Sequence, residues 1–254
     1  MEIIESVNNK IIKYTNSLKD KKVRKKEGLF IAEGLRLVLD GMKIAKPEYL
    51  IVTEAFKGEK FDVKTYVVSE NVFKKLSDTV TPQGMLGVFK IENKAVSDMK
   101  RSNVIVLNNV SDPGNMGTIL RTAYAAGFNN IIIDSKCVDL YNPKTVRSTM
   151  SALFNLNIYF SNSLSDDLSL LKEKGFEIIG SALTDDARDI YKSKINSPVA
   201  VVMGNEANGI EKDILDICDK KIIIPMKNNM ESLNVSVAAS VIMYEMLRRE
   251  EYEE

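Results

Sequence analysis

Apolar residues recur along the chain with two different spacings, and the change between them divides it. In residues 9–19 (NKIIKYTNSLK), Ile11, Ile12, Tyr14 and Leu18 fall at helical spacing and predict a short helix. A dense basic run, residues 20–26, follows without an apolar period. GLFIAEG, EYLIVTE, TYVVS and MLGVFK then read as strands, and LRLVLDGM and residues 70–77 as helices. This describes a small N-terminal α/β domain over residues 1–93. Residues 92–102 (ENKAVSDMKRS) are polar and aperiodic, which predicts a linker. From residue 103 onward, VIVLNNV, NIIID, NLNIYF, FEIIGSAL, VAVVMG and KIIIP are apolar runs of strand length. Several are β-branched throughout, as strands covered on both faces are. Helices are predicted between them at 115–126, 143–154, 165–174, 211–217 and 234–249. The alternation predicts a second domain, residues 102–254, built on a mostly parallel sheet with helices on both faces. Ligands of such sheets bind beyond the carboxyl ends of the strands.

Composition narrows the chemistry. At 254 residues and 44% hydrophobic, the chain can bury the cores of two domains. Its formal net charge of zero conceals a split. Residues 1–101 hold 20 Lys and Arg against 14 Asp and Glu, and the remainder carries the opposite imbalance. A polyanion contact is therefore expected in the first part. The sequence has no histidine, which excludes Ser-His-Asp and Cys-His catalysis and His-ligated zinc. Cys137 and Cys218 lack metal-type spacing, so neither a metal nor a disulfide framework is expected. No apolar run approaches the roughly 18 residues of a membrane span, and MEIIESVNNK is unlike a secretory signal. A soluble, cytoplasmic protein with no membrane partner is the expectation.

Three loops hold the candidate chemistry. The first, Asn108 to Gly117, contains Asp-Pro-Gly-Asn turn chemistry, with Asn115 able to cap the next helix and Arg121 further along it. On these residues alone Arg121 is either a solvated side chain or one aimed at an anionic or hydroxyl-bearing substrate. The second, Met203-Gly204-Asn205-Glu206-Ala207-Asn208-Gly209, is either a plain turn or a place where backbone approaches a ligand. In the third, a strand ends at Pro225 and a polar loop leads to Ser232 or Asn234 as the cap of a long helix. The apolar positions of that helix suit a core or a dimer contact. Neither G-x-G-x-x-G nor G-x-x-x-x-G-K-[ST] is present, which argues against a dinucleotide enzyme or an NTPase.

In order, DPGNMGxxLRTAxAAGF, VMGNExxGI and IPMxxxxESLNVSVAAS resemble the SpoU (TrmH-like) RNA ribose methyltransferases of the SPOUT class. KKVRKKEGLFIAEGLRLVLDG and TPQGMLGVF resemble the substrate-binding domain found ahead of that catalytic domain. The resemblance implies a C-terminal trefoil knot, a homodimer and S-adenosylmethionine as methyl donor. It places Met203, Gly204, Ile224, Pro225, Met226 and Leu233 at the donor, and Asn115, Arg121, Glu206, Ser232 and Asn234 around the reacting ribose. Lys21, Lys22, Arg24, Lys25 and Lys26 are the expected RNA contacts. The family usually has Gly and Pro where Ser151 and Asn157 stand here. The implied reaction is methyl transfer to a ribose 2′-hydroxyl of structured RNA, by association ribosomal RNA. The alternatives are a tRNA 2′-O-methyltransferase and a non-catalytic RNA-binding relative.

Overall fold

A computed structural model describes residues 3–58, 61–228 and 230–252. They form two compact units. The first comprises residues 1–92 with 139–154, and the second residues 93–138 with 155–254.

In the first unit the elements run β1 (Ile3–Ile4), α1 (Lys10–Ser17), α2 (Lys21–Glu27), β2 (Leu29–Glu33), α3 (Leu35–Met42), β3 (Tyr49–Thr53), β4 (Thr65–Val68), α4 (Glu70–Leu76) and β5 (Met85–Lys90). Their sheet has the order β1-β4-β3-β5-β2, with β5 antiparallel to both neighbours. Its core joins Ile12 and Leu18 to Ile51, Val72, Phe73 and Leu86. The aperiodic basic run is itself helical. Asp20 caps α2 by accepting hydrogen bonds from the backbone N–H groups of Lys22 and Val23, and Gly28 ends it in the left-handed region. With both ends capped, the helix forms without an apolar face of its own.

The second unit continues with β6 (Val104–Leu107), α5 (Pro113–Ala125) and β7 (Asn130–Asp134). The chain then adds α6 (Pro143–Ser148) to the first unit and passes through α7 (Ala152–Asn155), at the border between the units. Next come β8 (Asn157–Ser161), α8 (Leu164–Glu173), β9 (Glu177–Ser181), β10 (Arg188–Asp189), β11 (Val199–Met203), α9 (Lys212–Ile217), β12 (Lys220–Ile223) and α10 (Val235–Tyr252). The seven strands pair in the order β10-β12-β9-β11-β6-β7-β8, every pair parallel. Val104, Val106, Ile132 and Val202 pack on Leu164, Leu168 and Leu171 of α8. Alternate strand residues, such as Ile105, Leu107 and Ile131, point to the opposite face and are fully buried as well. Burial on both faces explains the unbroken apolar runs in the sequence.

Two expectations need correction. The span 143–154 is two short helices rather than one, because the chain turns at Met150, whose φ is +51°. The 92–102 segment is not a bare linker. Val96 and Met99 are buried in the second unit's core, and Lys94 forms a parallel bridge with Tyr159. Its polar composition hides two apolar anchors spaced three residues apart.

Candidate active site

β6 and β11 are neighbours in register, with Leu107 opposite Met203, so the loops that follow them emerge side by side. The ladder runs one step past the strands, with the Asn108 N–H donating to the Met203 carbonyl at 2.9 Å. Asn108 is fully buried. Its amide donates to Asp134 (3.1 Å) and Glu211 (3.2 Å), and its Oδ1 accepts from the Glu211 N–H (2.9 Å). Asn205 donates to the Asn109 carbonyl at 2.8 Å. These contacts fasten the second loop to the first. Gly204 permits a tight return: a Cβ there would lie 2.3 Å from backbone atoms of Gly209 and Ile210.

The fastening sets Glu206 over the first turn of α5. Asp112, not Asn115, caps that helix, accepting from the Asn115 N–H at 2.8 Å, with Pro113 at the first helical position. Relieved of the capping role, the Asn115 side chain donates to Glu206 Oε1 at 2.9 Å. Glu206 Oε2 accepts from Ser111 Oγ at 3.0 Å, and backbone N–H groups of Ser111 and Asp112 stand at 3.4 Å. Burial pushes the Glu206 carboxyl up, but the hydrogen bonds from Asn115 and Ser111 outweigh it and hold the group below its ordinary value.

The third loop joins through Asn234. Its amide donates to Asn115 Oδ1 at 3.1 Å, while its own Oδ1 accepts from Ser236 and so caps α10. One hydrogen-bonded chain, Glu206–Asn115–Asn234, thus ties all three loops together. Arg121 and Ser232 are exposed, and their side chains make no hydrogen bond or ion pair among the described residues. Arg121 lies six residues beyond Asn115, about 9 Å further along α5 and about 120° around it.

Gly204 and Ile224 follow strands with β9 between them, so the strand ends stand about 10 Å apart. Met203 and Gly204 are buried, Ile224 and Met226 half-buried, Pro225 and Leu233 exposed. Ala182 and exposed Leu183, at the end of β9, lie between the two strand ends. Sequence reasoning passed over them because strand order is not written in local periodicity. It also passed over Asn108, whose only signal was a polar residue directly after a fully apolar strand. Among the described residues, no group of three Cys, Asp or Glu side chains is placed to hold a metal ion. Burial pushes the Cys137 and Cys218 thiols up to about 12 and about 11, so neither is a ready nucleophile.

Within the first unit, Lys21, Lys22, Lys25 and Lys26 are exposed on α2. Arg24, expected with them, is not available to RNA. Only 3% of its surface is exposed; it pairs with Asp139 and donates to the carbonyls of Leu18 and Lys19. In a helix one side of a basic run must face inward, and here it meets a carboxylate.

The model of the SpoU rRNA methylase family matches residues 102–244, and that of the MRM3-like substrate-binding domain matches residues 9–87. A 23S rRNA (guanosine(2553)-2′-O)-methyltransferase of Bacillus subtilis is 31% identical over 97% of this chain and 99% of its own length. The human mitochondrial rRNA methyltransferase 3 is 27% identical over 91% of this chain and 70% of its own. Among solved structures, an AdoMet-bound rRNA methyltransferase from Sinorhizobium meliloti superposes with a TM-score of 0.88, at 28% identity and over 99% of both chains.

Proposed function

The chain belongs to the SpoU rRNA methylase family, and from that premise we propose that it transfers the methyl group of S-adenosylmethionine to a ribose 2′-hydroxyl of ribosomal RNA. The observation that carries the reading is the Glu206–Asn115–Asn234 chain, which gathers three loops at the carboxyl edge of a parallel sheet.

Met203, Gly204, Ile224, Pro225, Met226 and Leu233 would hold the donor. Their chemistry fits it: the side chains are apolar, suiting an adenosine face, and none carries a positive charge that would repel a sulfonium. When bound, the donor supplies a methyl group already activated by a positive sulfur. The protein's remaining task is alignment of the ribose oxygen at about 3 Å. Glu206, held ionised, orients Asn115 rather than serving as the base. Asn115 and Asn234 position the ribose, with Ser232 beside them. Arg121 holds the adjacent phosphate through charge-assisted hydrogen bonds. The 2′-hydroxyl proton passes to water or to the RNA phosphate. Lys21, Lys22, Lys25 and Lys26 supply phosphate contacts from the first unit.

The finer features belong to the same proposal. The segment after β12 closes a trefoil knot. Tyr124 on α5 and Val237 and Tyr244 on α10 are exposed, on helices that pack on each other, and suit a second copy of the chain. No helix among the described residues is long and apolar enough to cross a membrane. The likeness to a 23S rRNA methyltransferase of Bacillus subtilis supports a cytoplasmic location. The direct test incubates the purified chain with methyl-labelled S-adenosylmethionine and with rRNA and tRNA from cells lacking the gene. Label on a ribose 2′-oxygen is the expected result. Label confined to tRNA, or none on either RNA, overturns the proposal.

A further inference from the structure

The first unit contains a cavity of about 600 Å³ that the methyl-transfer reading leaves unused. Leu39, Phe56, Phe61 and Pro82 give it apolar walls, and Lys57, Glu70 and Gln83 stand at its lining. Phe56 and Phe61 are half-buried and lie against each other, ring centroids 6.0 Å apart and planes 31° apart. They therefore form one continuous aromatic wall, with no gap between them for a third ring. Backbone lies close against this wall: a Cβ at Gly58 would come within 2.1 Å of the Phe56 ring.

Hydrogen bonds hold another part of the lining, the 77–84 loop. Glu33, 6% exposed, accepts hydrogen bonds from Ser77 Oγ, from the Asp78 N–H at 3.1 Å and from Thr79 Oγ1 at 2.9 Å. This holds the start of the 77–84 loop. Further along the loop, Gln83 Oε1 accepts from the Leu35 N–H at 2.9 Å, which leaves the Gln83 amide N–H₂ for another acceptor. A preformed cavity with an aromatic wall, a spare amide donor, a carboxylate and a lysine matches a nucleobase. The wall stacks its face, Gln83 and Glu70 meet its polar edge, and Lys57 meets the attached phosphate. The charge surplus of residues 1–101 supplies the field that attracts RNA.

We infer that this cavity receives a single base extruded from the RNA helix, so that the first unit selects RNA by an unpaired nucleotide as well as by phosphate charge. The inference rests on the proposed RNA substrate, and its test needs no methyl donor. Two hairpin RNAs are compared by equilibrium titration of the full chain, one carrying a single bulged purine and one fully paired. The bulged hairpin is expected to bind about tenfold more tightly, the range of one base stacked on aromatic side chains. Phe56→Ala and Phe61→Ala should each remove most of that preference and leave binding of the paired hairpin unchanged. Phe56→Tyr, which keeps the ring, should retain it.

Equal affinity of the wild-type chain for the two hairpins overturns the inference, while label transfer to rRNA reports separately on the methyltransferase reading. Loss of affinity for both hairpins in folded Phe→Ala variants also overturns it. So does a change in the oligomeric mass of those variants, since it would mark the cavity as a contact between copies. Failure of either hairpin to bind at all contradicts the RNA-binding role of the unit as well.

Discussion

At the scale of single residues, the site separates side chains that build it from those left open to a substrate. Glu206, Asn115 and Asn234 satisfy one another, whereas Arg121 has no partner among the described residues. Arg121→Ala should therefore leave the fold and donor affinity unchanged and lower kcat by at least about a hundredfold, as loss of a positioning charge does. Retained turnover would remove Arg121 from the mechanism. Glu206 gives a pH prediction with a defined sign. Its folded-state pKa lies below the ordinary 4.5, so ionised Glu206 stabilises the fold above that value, and the contribution fades as pH falls through the folded pKa. The difference in Tm between wild type and Glu206→Gln should be present at pH 7 and close below the ordinary value. A difference independent of pH would mean that the carboxylate charge plays no part. The sequence showed that these residues sit in loops, but not their division of labour. Asn115 was expected to cap α5, and Asp112 three residues earlier does so, because either residue type can.

At the scale of elements, α2 shows where a charge run and an amphipathic helix read alike. Its lysines face solvent, while Arg24 turns inward to Asp139. Replacing Lys21, Lys22 and Lys25 together with glutamine should leave Tm within a few degrees and lower the slope of log affinity against log salt by about 2 to 3. Arg24→Met should do the opposite. It strands Asp139, costs about 3 kcal/mol of stability and leaves the salt slope unchanged. Equal slopes for wild type and the triple lysine variant would take RNA binding away from α2. The helices and strands were largely legible, since period 3.6 and buried β-branched runs are local signals. The break at Met150 was not, because a left-handed turn at a methionine has no compositional mark. Nor was the anchoring of residues 92–102, where Val96 and Met99 are too few to set a period.

At the scale of the whole molecule, the chain combines a basic N-terminal part with an acidic remainder that carries the three-loop site. The alternation of strands and helices was enough to foresee a parallel sheet. The order β10-β12-β9-β11-β6-β7-β8 was not, because it depends on which buried strand packs beside which. That order brings the ends of β6 and β11 together and puts Ala182 and Leu183 between Gly204 and Ile224. Only the ordered set of three motifs, read as a family resemblance, indicated that distant loops meet. The central claim is methylation of a ribose in ribosomal RNA, and mapping 2′-O-methyl groups across total cellular RNA tests it most directly. Cells with the wild-type gene, without it, and with only the Arg121→Ala allele are compared. The account predicts one rRNA ribose methylation present in the first and absent from the other two. An rRNA map identical in all three, or a methyl group missing only from tRNA, would contradict it.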